Sequence, residues 1–229
     1  VRLRDWSLDR RADGWHARLR AGDFTLELAF VPTQPVLLQG RAGLSRKGPQ
    51  QQQASYYYSM PQLDARGAIT LQGRRFDAKG KAWLDHEWSE ELMHADAVGW
   101  DWIGMNLDDG SALTAFRLRK QDGTALWDGG SFRSAKGDLF GFNRGEVDFS
   151  PQRSWTSPVS KAVYPVEWIV RTPADFYTVK AVIDNQELDS RSSTGAIYWE
   201  GLSDLFDSNG KRVGRGYLEM TGYAQRLRI

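Results

Sequence analysis

GKAWLDHEWSEELMHADAVGWDWIGMNL, residues 80–107, is the stretch on which the reading of this chain turns. It holds two of the three histidines (His86, His94), four of the ten tryptophans (Trp83, Trp88, Trp100, Trp102) and a dense set of carboxylates. Two runs inside it alternate with the period of a strand. Across 83–88, Trp83, Asp85 and Glu87 share one face, and Leu84, His86 and Trp88 share the other. Across 99–107, Asp101 falls with Ile103, Met105 and Leu107, an arrangement that is costly unless the acid is paired or protonated. The opposite assignment buries Trp100 and Trp102 and leaves Asp101 wet; parity alone leaves both open. A carboxylate set among indoles is poorly hydrated, which moves its pKa toward values useful for proton transfer. The plainer reading is a pair of strands whose polar side chains hydrogen-bond nearby backbone.

Outward from this stretch, the rest of the chain also reads as strands. In DFTLELAFV, Phe24, Leu26, Leu28 and Phe30 fall on one face and Thr25 and Glu27 on the other. Pro32 and Pro35 end that run. Residues from Gly40 to Ala54 form a polar loop with four consecutive glutamines, expected to be a mobile excursion without chemistry. SYYYSM (55–60), 67–72 and 74–76 read as separate short strands. After residue 107, turn signals recur at Asp108-Asp109-Gly110, Gln121-Asp122-Gly123, Asp128-Gly129-Gly130, Ala135-Lys136-Gly137 and Asp207-Ser208-Asn209-Gly210. The runs between them are rich in β-formers, the mark of an antiparallel sandwich or barrel. One short helix is expected, Glu90 to Ala97, placed as an inter-domain connector. The fold class is all-β.

Composition bounds the function. The chain has 229 residues, 41% hydrophobic and 26% charged, which is ordinary for a globular protein and long enough for one large or two small cores. A net charge of +1 lacks the basic excess of a nucleic-acid binder. Ten tryptophans and eight tyrosines suit β structure or a ring-lined cavity. The absence of cysteine excludes disulfides, thiolate catalysis and thiolate metal sites. No apolar run approaches the roughly 18 residues of a membrane span. The chain opens on VRLRDWSLDRR, without a starting methionine or a signal peptide, so an earlier part of the precursor is expected to lie outside it.

Motif tests narrow the chemistry further. There is no G-x-S-x-G elbow, P-loop or dinucleotide glycine fingerprint. HEWSE at 86–90 departs from a zinc helix because Glu90 stands where the second histidine would be. No metal is expected. Glu200 in YWEG and Glu219 in GYLEMTGY are acids that strand parity can turn into a barrel, and Tyr56, Tyr57 and Tyr58 are core or rim residues or hydroxyls that orient a catalytic group.

The segments YYYSMPQLDARGAITLQGRRFDAKGKAWLDHEWS, GWDWIGMNLDDGSALTAFRLR, WTSP, YPVEW, DNQEL, YWEG and GRGYLEMTGY, in this order along nearly the whole chain, resemble AttH-like proteins. These are commonly labelled predicted secreted hydrolases and are related to carotenoid 1,2-hydratase (hydroxyneurosporene synthase); fungal enzymes that cyclise polyenes by Diels–Alder chemistry are similar in fold. The resemblance implies two consecutive lipocalin-like antiparallel β-barrel domains, the first incomplete in this chain (1–94) and the second at 95–229, with a site near their junction. It implies an apolar substrate, water addition across an isoprenoid double bond in the hydratase branch, no cofactor, and export to the periplasm or beyond. His86 and Trp88 match that branch's proposed His-x-Trp catalytic pair, and Asp85 matches the acid beside the histidine. The downstream Tyr-x-Asp pair has no clear counterpart, Asp101 being a loose substitute. Family members begin well before residue 1, so strands from another chain or an N-terminal fragment are expected to complete the first barrel.

The functional expectation is therefore a cofactor-independent acid–base enzyme, hydratase- or lyase-like, acting on a lipophilic unsaturated small molecule. Its expected catalytic residues are Asp85, His86, Trp88 and Asp101. Its expected substrate-binding residues are Tyr57, Trp100, Trp102, Tyr198 and Glu200. Expected partners are the apolar ligand and a membrane surface. The competing class is a non-catalytic carrier of an apolar ligand in the second barrel.

Overall fold

The computed structural model describes residues 1–90 and 93–227, and every described element is a strand. In chain order these are β1 (Arg2–Leu3), β2 (Trp6–Arg11), β3 (Gly14–Ala21), β4 (Phe24–Val31), β5 (Leu37–Leu38), β6 (Leu44–Arg46), β7 (Ala54–Leu71), β8 (Arg74–Trp88), β9 (Gly99–Leu107) and β10 (Ala112–Arg119). There follow β11 (Ala125–Arg133), β12 (Leu139–Phe142), β13 (Asp148–Pro151), β14 (Ser154–Thr156), β15 (Val163–Pro165), β16 (Glu167–Arg171), β17 (Phe176–Ala181), β18 (Glu187–Ser190), β19 (Ala196–Phe206) and β20 (Arg212–Met220). The all-β expectation holds. The protein consists of curled antiparallel sheets of half-barrel type.

Contacts divide the chain into two compact units, residues 1–37 with 59–85, and residues 38–58 with 86–229. The expected division at residue 94–95 cuts differently, because Leu38–Tyr58 gathers with the second unit. The first unit is built on the sheet order β1-β2-β3-β4-β7, with β8 also paired to β7. Its apolar alternation is in register: Leu8 lies opposite Ala17, Ala17 opposite Leu28, and Trp15 opposite Phe30. β7 and β8 are continuous strands rather than the three short ones expected, joined by a two-residue turn at Gln72-Gly73. Both turn residues have positive φ (50° and 76°), the conformation whose twist suits a tight hairpin. Gln62 also has positive φ, 57°. Across it the face that β7 shows β8 changes: Ser55 meets Glu87, whereas Asp64 meets Lys81. One extra residue on β7 accounts for this change of parity.

The second unit carries a ten-stranded sheet with path β12-β11-β10-β9-β20-β19-β17-β16-β13, with β18 paired to β19. Ile103 of β9, Leu218 of β20, Trp199 of β19, Trp168 of β16 and Phe149 of β13 belong to one buried cluster, so strands far apart on the path share an interior. Fully burying side chains of this size contributes roughly 1.5–3 kcal/mol each. In the turns ending at Gly110, Gly123, Gly137 and Gly210 the glycine N–H donates to the carbonyl of Leu107, Lys120, Ser134 and Asp207 respectively. All four glycines have positive φ, which is why the turn signals marked them.

Three expectations are corrected. Asp128-Gly129-Gly130 is not a turn but lies inside β11; a Cβ on Gly130 would stand 2.2 Å from the Thr114 carbonyl oxygen, and one on Gly129 3.2 Å from the Phe116 ring. These glycines permit close approach of strands rather than reversal of the chain. Residues 40–54 are not a free excursion, since Ser45, Lys47 and Gln53 are buried and β6 pairs with β7. Of the expected helix at 90–97, Glu91 and Leu92 lie outside the described residues; the remainder holds a turn at Ala95-Asp96 and no helix.

Candidate functional site

The first unit carries an open hollow of about 570 Å³, at whose rim Leu3, Trp6 and Asp85 are exposed. Leu3, Trp6, Leu8, Leu19, Phe30, Leu63 and Trp83 line it, and Ala17 leaves space among them. Only two of the lining residues have polar side chains without an aromatic ring, Ser7 and Asp85, and Asp85 alone has an ionisable side chain. A large apolar hollow with few polar groups is the usual form of a small-molecule site. Asp85 accepts a hydrogen bond of 2.8 Å from the Trp83 indole N–H, two positions earlier on the same face of β8.

His86, the next residue, groups with the second unit and points to the opposite face of β8 by strand alternation. There it stacks on Tyr58 (ring centroids 5.3 Å) and lies against Trp88 (5.1 Å), while Trp88 stacks on Tyr56 (5.5 Å). His86, Trp88 and Tyr56 are exposed, Trp88 by 51%. Asp85 and His86 thus do not act on one volume from one face.

Asp101 is fully buried on the inner face of the second sheet, with Ile103, Met105 and Leu107. Of the two alternatives for a buried acid, it is paired. Arg117 Nε donates to it at 2.7 Å, Tyr223 OH donates at 2.9 Å, and Arg119 Nε lies 3.1 Å away as an ion-pair contact. Arg117 also packs against the Trp168 ring, and Arg119 lies 4.0 Å from the centre of the Tyr223 ring. Burial, then the charge of Asp101, pushes the Tyr223 phenol far up, so it stays a donor. Asp101 and His86 therefore share no hollow: one is inside the curled sheet and the other is on an exposed face.

The outer face of the same sheet collects the expected ligand-binding residues. In register, Phe116, Trp102, Glu219 and Glu200 form one row across β10, β9, β20 and β19. Trp102 Nε1 donates to the buried Tyr57 hydroxyl at 3.2 Å. Trp100 packs with Ala97, Leu118 and Leu126, and Tyr198 is half-buried on β19. Beside this row lies a constellation that local sequence did not flag. Lys47 is buried, its Nζ 4.2 Å from the centre of the Phe116 ring and 4.9 Å from that of Tyr57, and it pairs with Glu87 at 2.9 Å. Ser55 Oγ donates to the same Glu87. Glu87→Leu is expected to cost about 1–3 kcal/mol by stranding the Lys47 charge, and Lys47→Met in the same chain to restore part of it. Urea midpoints of the single and double variants check this.

Glu200 faces Glu219 directly across β19 and β20, and burial holds the Glu200 carboxyl above the usual glutamate range. Ionising it therefore costs the folded state more than the unfolded one. Below the ordinary value of 4.5 both states are protonated and no penalty exists; it grows as pH rises and is complete above the folded pKa. Glu200→Gln is expected to raise the denaturant midpoint at neutral pH, with the gain vanishing below about pH 4. A gain that persisted unchanged at low pH would contradict it.

Among the described residues no three of His, Asp and Glu converge as metal ligands. His94 Nδ1 accepts from the Asp96 backbone N–H at 3.1 Å.

A family model for AttH-like proteins matches residues 1–223. The chain belongs to the AttH-like family. The crystal structure of a candidate AttH from Nitrosomonas europaea superposes with a TM-score of 0.94 at 47% identity, covering 97% of this chain and 70% of that one. Kievitone hydratase from Nectria haematococca superposes with a TM-score of 0.78 at 16% identity, covering 98% of this chain and 70% of that one. At that identity the likeness is one of fold. No curated protein matches the AttH-like chain by sequence.

Proposed function

We propose that this AttH-like protein is a hydratase-type enzyme that adds water to a lipophilic, unsaturated small molecule held in the hollow of its first unit. One observation carries the reading: a cavity of about 570 Å³ with apolar walls has Asp85 as its single ionisable lining side chain. The fold shared with a kievitone hydratase supports the reaction class.

The chemistry closes on Asp85 and water. Asp85, acting as the acid, gives its proton to one alkene carbon, and the π pair forms the new C–H bond. The cation left on the neighbouring carbon is eased by the faces of Trp6 and Trp83. Water, oriented by the Ser7 hydroxyl, forms the C–O bond and returns a proton to the Asp85 carboxylate, which regenerates the acid. Neither His86 nor Trp88 is among the residues lining this hollow.

The same walls suit a second reading, an apolar-ligand carrier, since volume and apolar lining are all that a carrier needs. The deciding experiment incubates the protein with a lipophilic metabolite extract in heavy-oxygen water. A product bearing one added labelled water, formed by the wild type and not by Asp85→Asn, supports the hydratase. Co-purification of an unaltered apolar ligand by both proteins, with no labelled product, supports the carrier.

A further inference from the structure

A second cavity, of about 460 Å³, lies wholly within the second unit, and nothing in the reaction above uses it. Its walls combine the outer face of β10 and β11 with the packed 40–46 segment, the end of β12 and the residues that follow it. Three arginines line it: Arg41, Arg46 and Arg144. Arg46 and Arg144 both lie against the Trp127 ring, their guanidinium carbons 5.3 and 4.9 Å from its centre. Neither is in an ion pair with any described residue, and neither is Arg41.

The one acid in the lining is already engaged. The Asp128 carboxylate accepts from the backbone N–H groups of Gly145 (2.8 and 2.9 Å) and Val147 (3.1 Å). None of the three arginines therefore has a carboxylate partner among the described residues, and Arg144 Nη2 donates to the Leu126 carbonyl at 3.4 Å. A second observation points the same way. Arg46 Nη2 is held by the carbonyls of Gly48, Pro49 and Gln50, whereas its Nε is buried without a hydrogen-bond partner. A buried donor without a partner is costly, and it marks this wall as one whose polar groups the protein leaves incompletely satisfied.

We propose that this cavity binds a small organic carboxylate with a flat apolar body. The planar fork of a guanidinium matches the two oxygens of a carboxylate, and stacking on Trp127 pre-orients that of Arg144. Phe116 and Leu44, which also line the cavity, supply the surface that an apolar ring covers. Its contribution separates this ligand from a bare inorganic anion.

Isothermal titration of the wild-type chain with naphthoate, naphthalenemethanol and inorganic phosphate tests the proposal. Naphthoate is expected to bind, to weaken as salt is added, and to bind about tenfold or more weaker to Arg144→Gln and weaker again to Arg41→Gln/Arg144→Gln. Both arginines are exposed, so these variants keep the fold, which circular dichroism verifies. Equal binding of the neutral alcohol, equal binding of phosphate, unchanged naphthoate affinity in the double variant, or no naphthoate binding at millimolar concentration would each overturn it. Asp85→Asn is expected to bind naphthoate like the wild type, which keeps this result separate from the fate of the hydratase reading.

Discussion

Asp101→Ala is expected to lower the stability of the second unit by about 3–5 kcal/mol, the usual cost of removing one partner from a buried ion pair. The substitution removes a small carboxylate and leaves Arg117, Arg119 and the Tyr223 hydroxyl around the space it occupied. Both guanidiniums are close to fully buried, at 11% and 8% side-chain exposure, so water replaces the lost partner poorly. A loss of this size is a large fraction of the roughly 5–15 kcal/mol that holds a typical domain together. Asp101→Asn, which keeps an acceptor but not the charge, is expected to fall between the two. Urea unfolding followed by tryptophan emission measures all three proteins. An Asp101→Ala midpoint equal to that of the wild type would mean that the pair contributes nothing.

Asp85→Asn is expected to reduce the rate of labelled-water addition by about a hundred- to ten-thousand-fold, the range over which a positioned acid–base group acts. Asparagine keeps the shape and an oxygen that can accept from Trp83 Nε1 at the observed separation of 2.8 Å, so the hollow persists. What it cannot do is deliver a proton and take one back. Ligand affinity is therefore expected to change little, and turnover to fall. A fall in affinity that matched the fall in rate would assign Asp85 to binding alone. His86→Ala separates the two sequence-based candidates: with His86 absent from the lining of the hollow, its rate is expected to stay near that of the wild type.

Much of this architecture follows from local patterns. The Asp108-Asp109-Gly110 signal marked a reversal, and a hairpin centred on it sets Asp101 opposite Arg117, as the register of β9 and β10 has it. The pairing of the buried acid was thus legible from a turn and a count along two strands. The alternation in 24–30 and in 99–107 was legible for the same reason, because a strand repeats every two residues whatever it packs against. The break at Gln62 was not, since an extra residue leaves no compositional trace and yet reverses which side chains face the neighbouring strand.

The sequence by itself determined an all-β chain, its main hairpins and its membership of the AttH-like family, since these rest on short-range periodicity, turn chemistry and the order of motifs. Tertiary structure alone decided what surrounds each acid. Asp85 follows Trp83 by two residues and Asp101 stands between Trp100 and Trp102, yet the first lines an apolar hollow and the second is contacted by two arginines. Lys47, in a stretch that reads as a solvated loop, is buried between Tyr57 and Phe116. The physical reason is one of range. Propensity and parity act over a few residues, whereas burial and charge pairing are fixed by neighbours from distant parts of the chain, and these arrive only when the sheets curl.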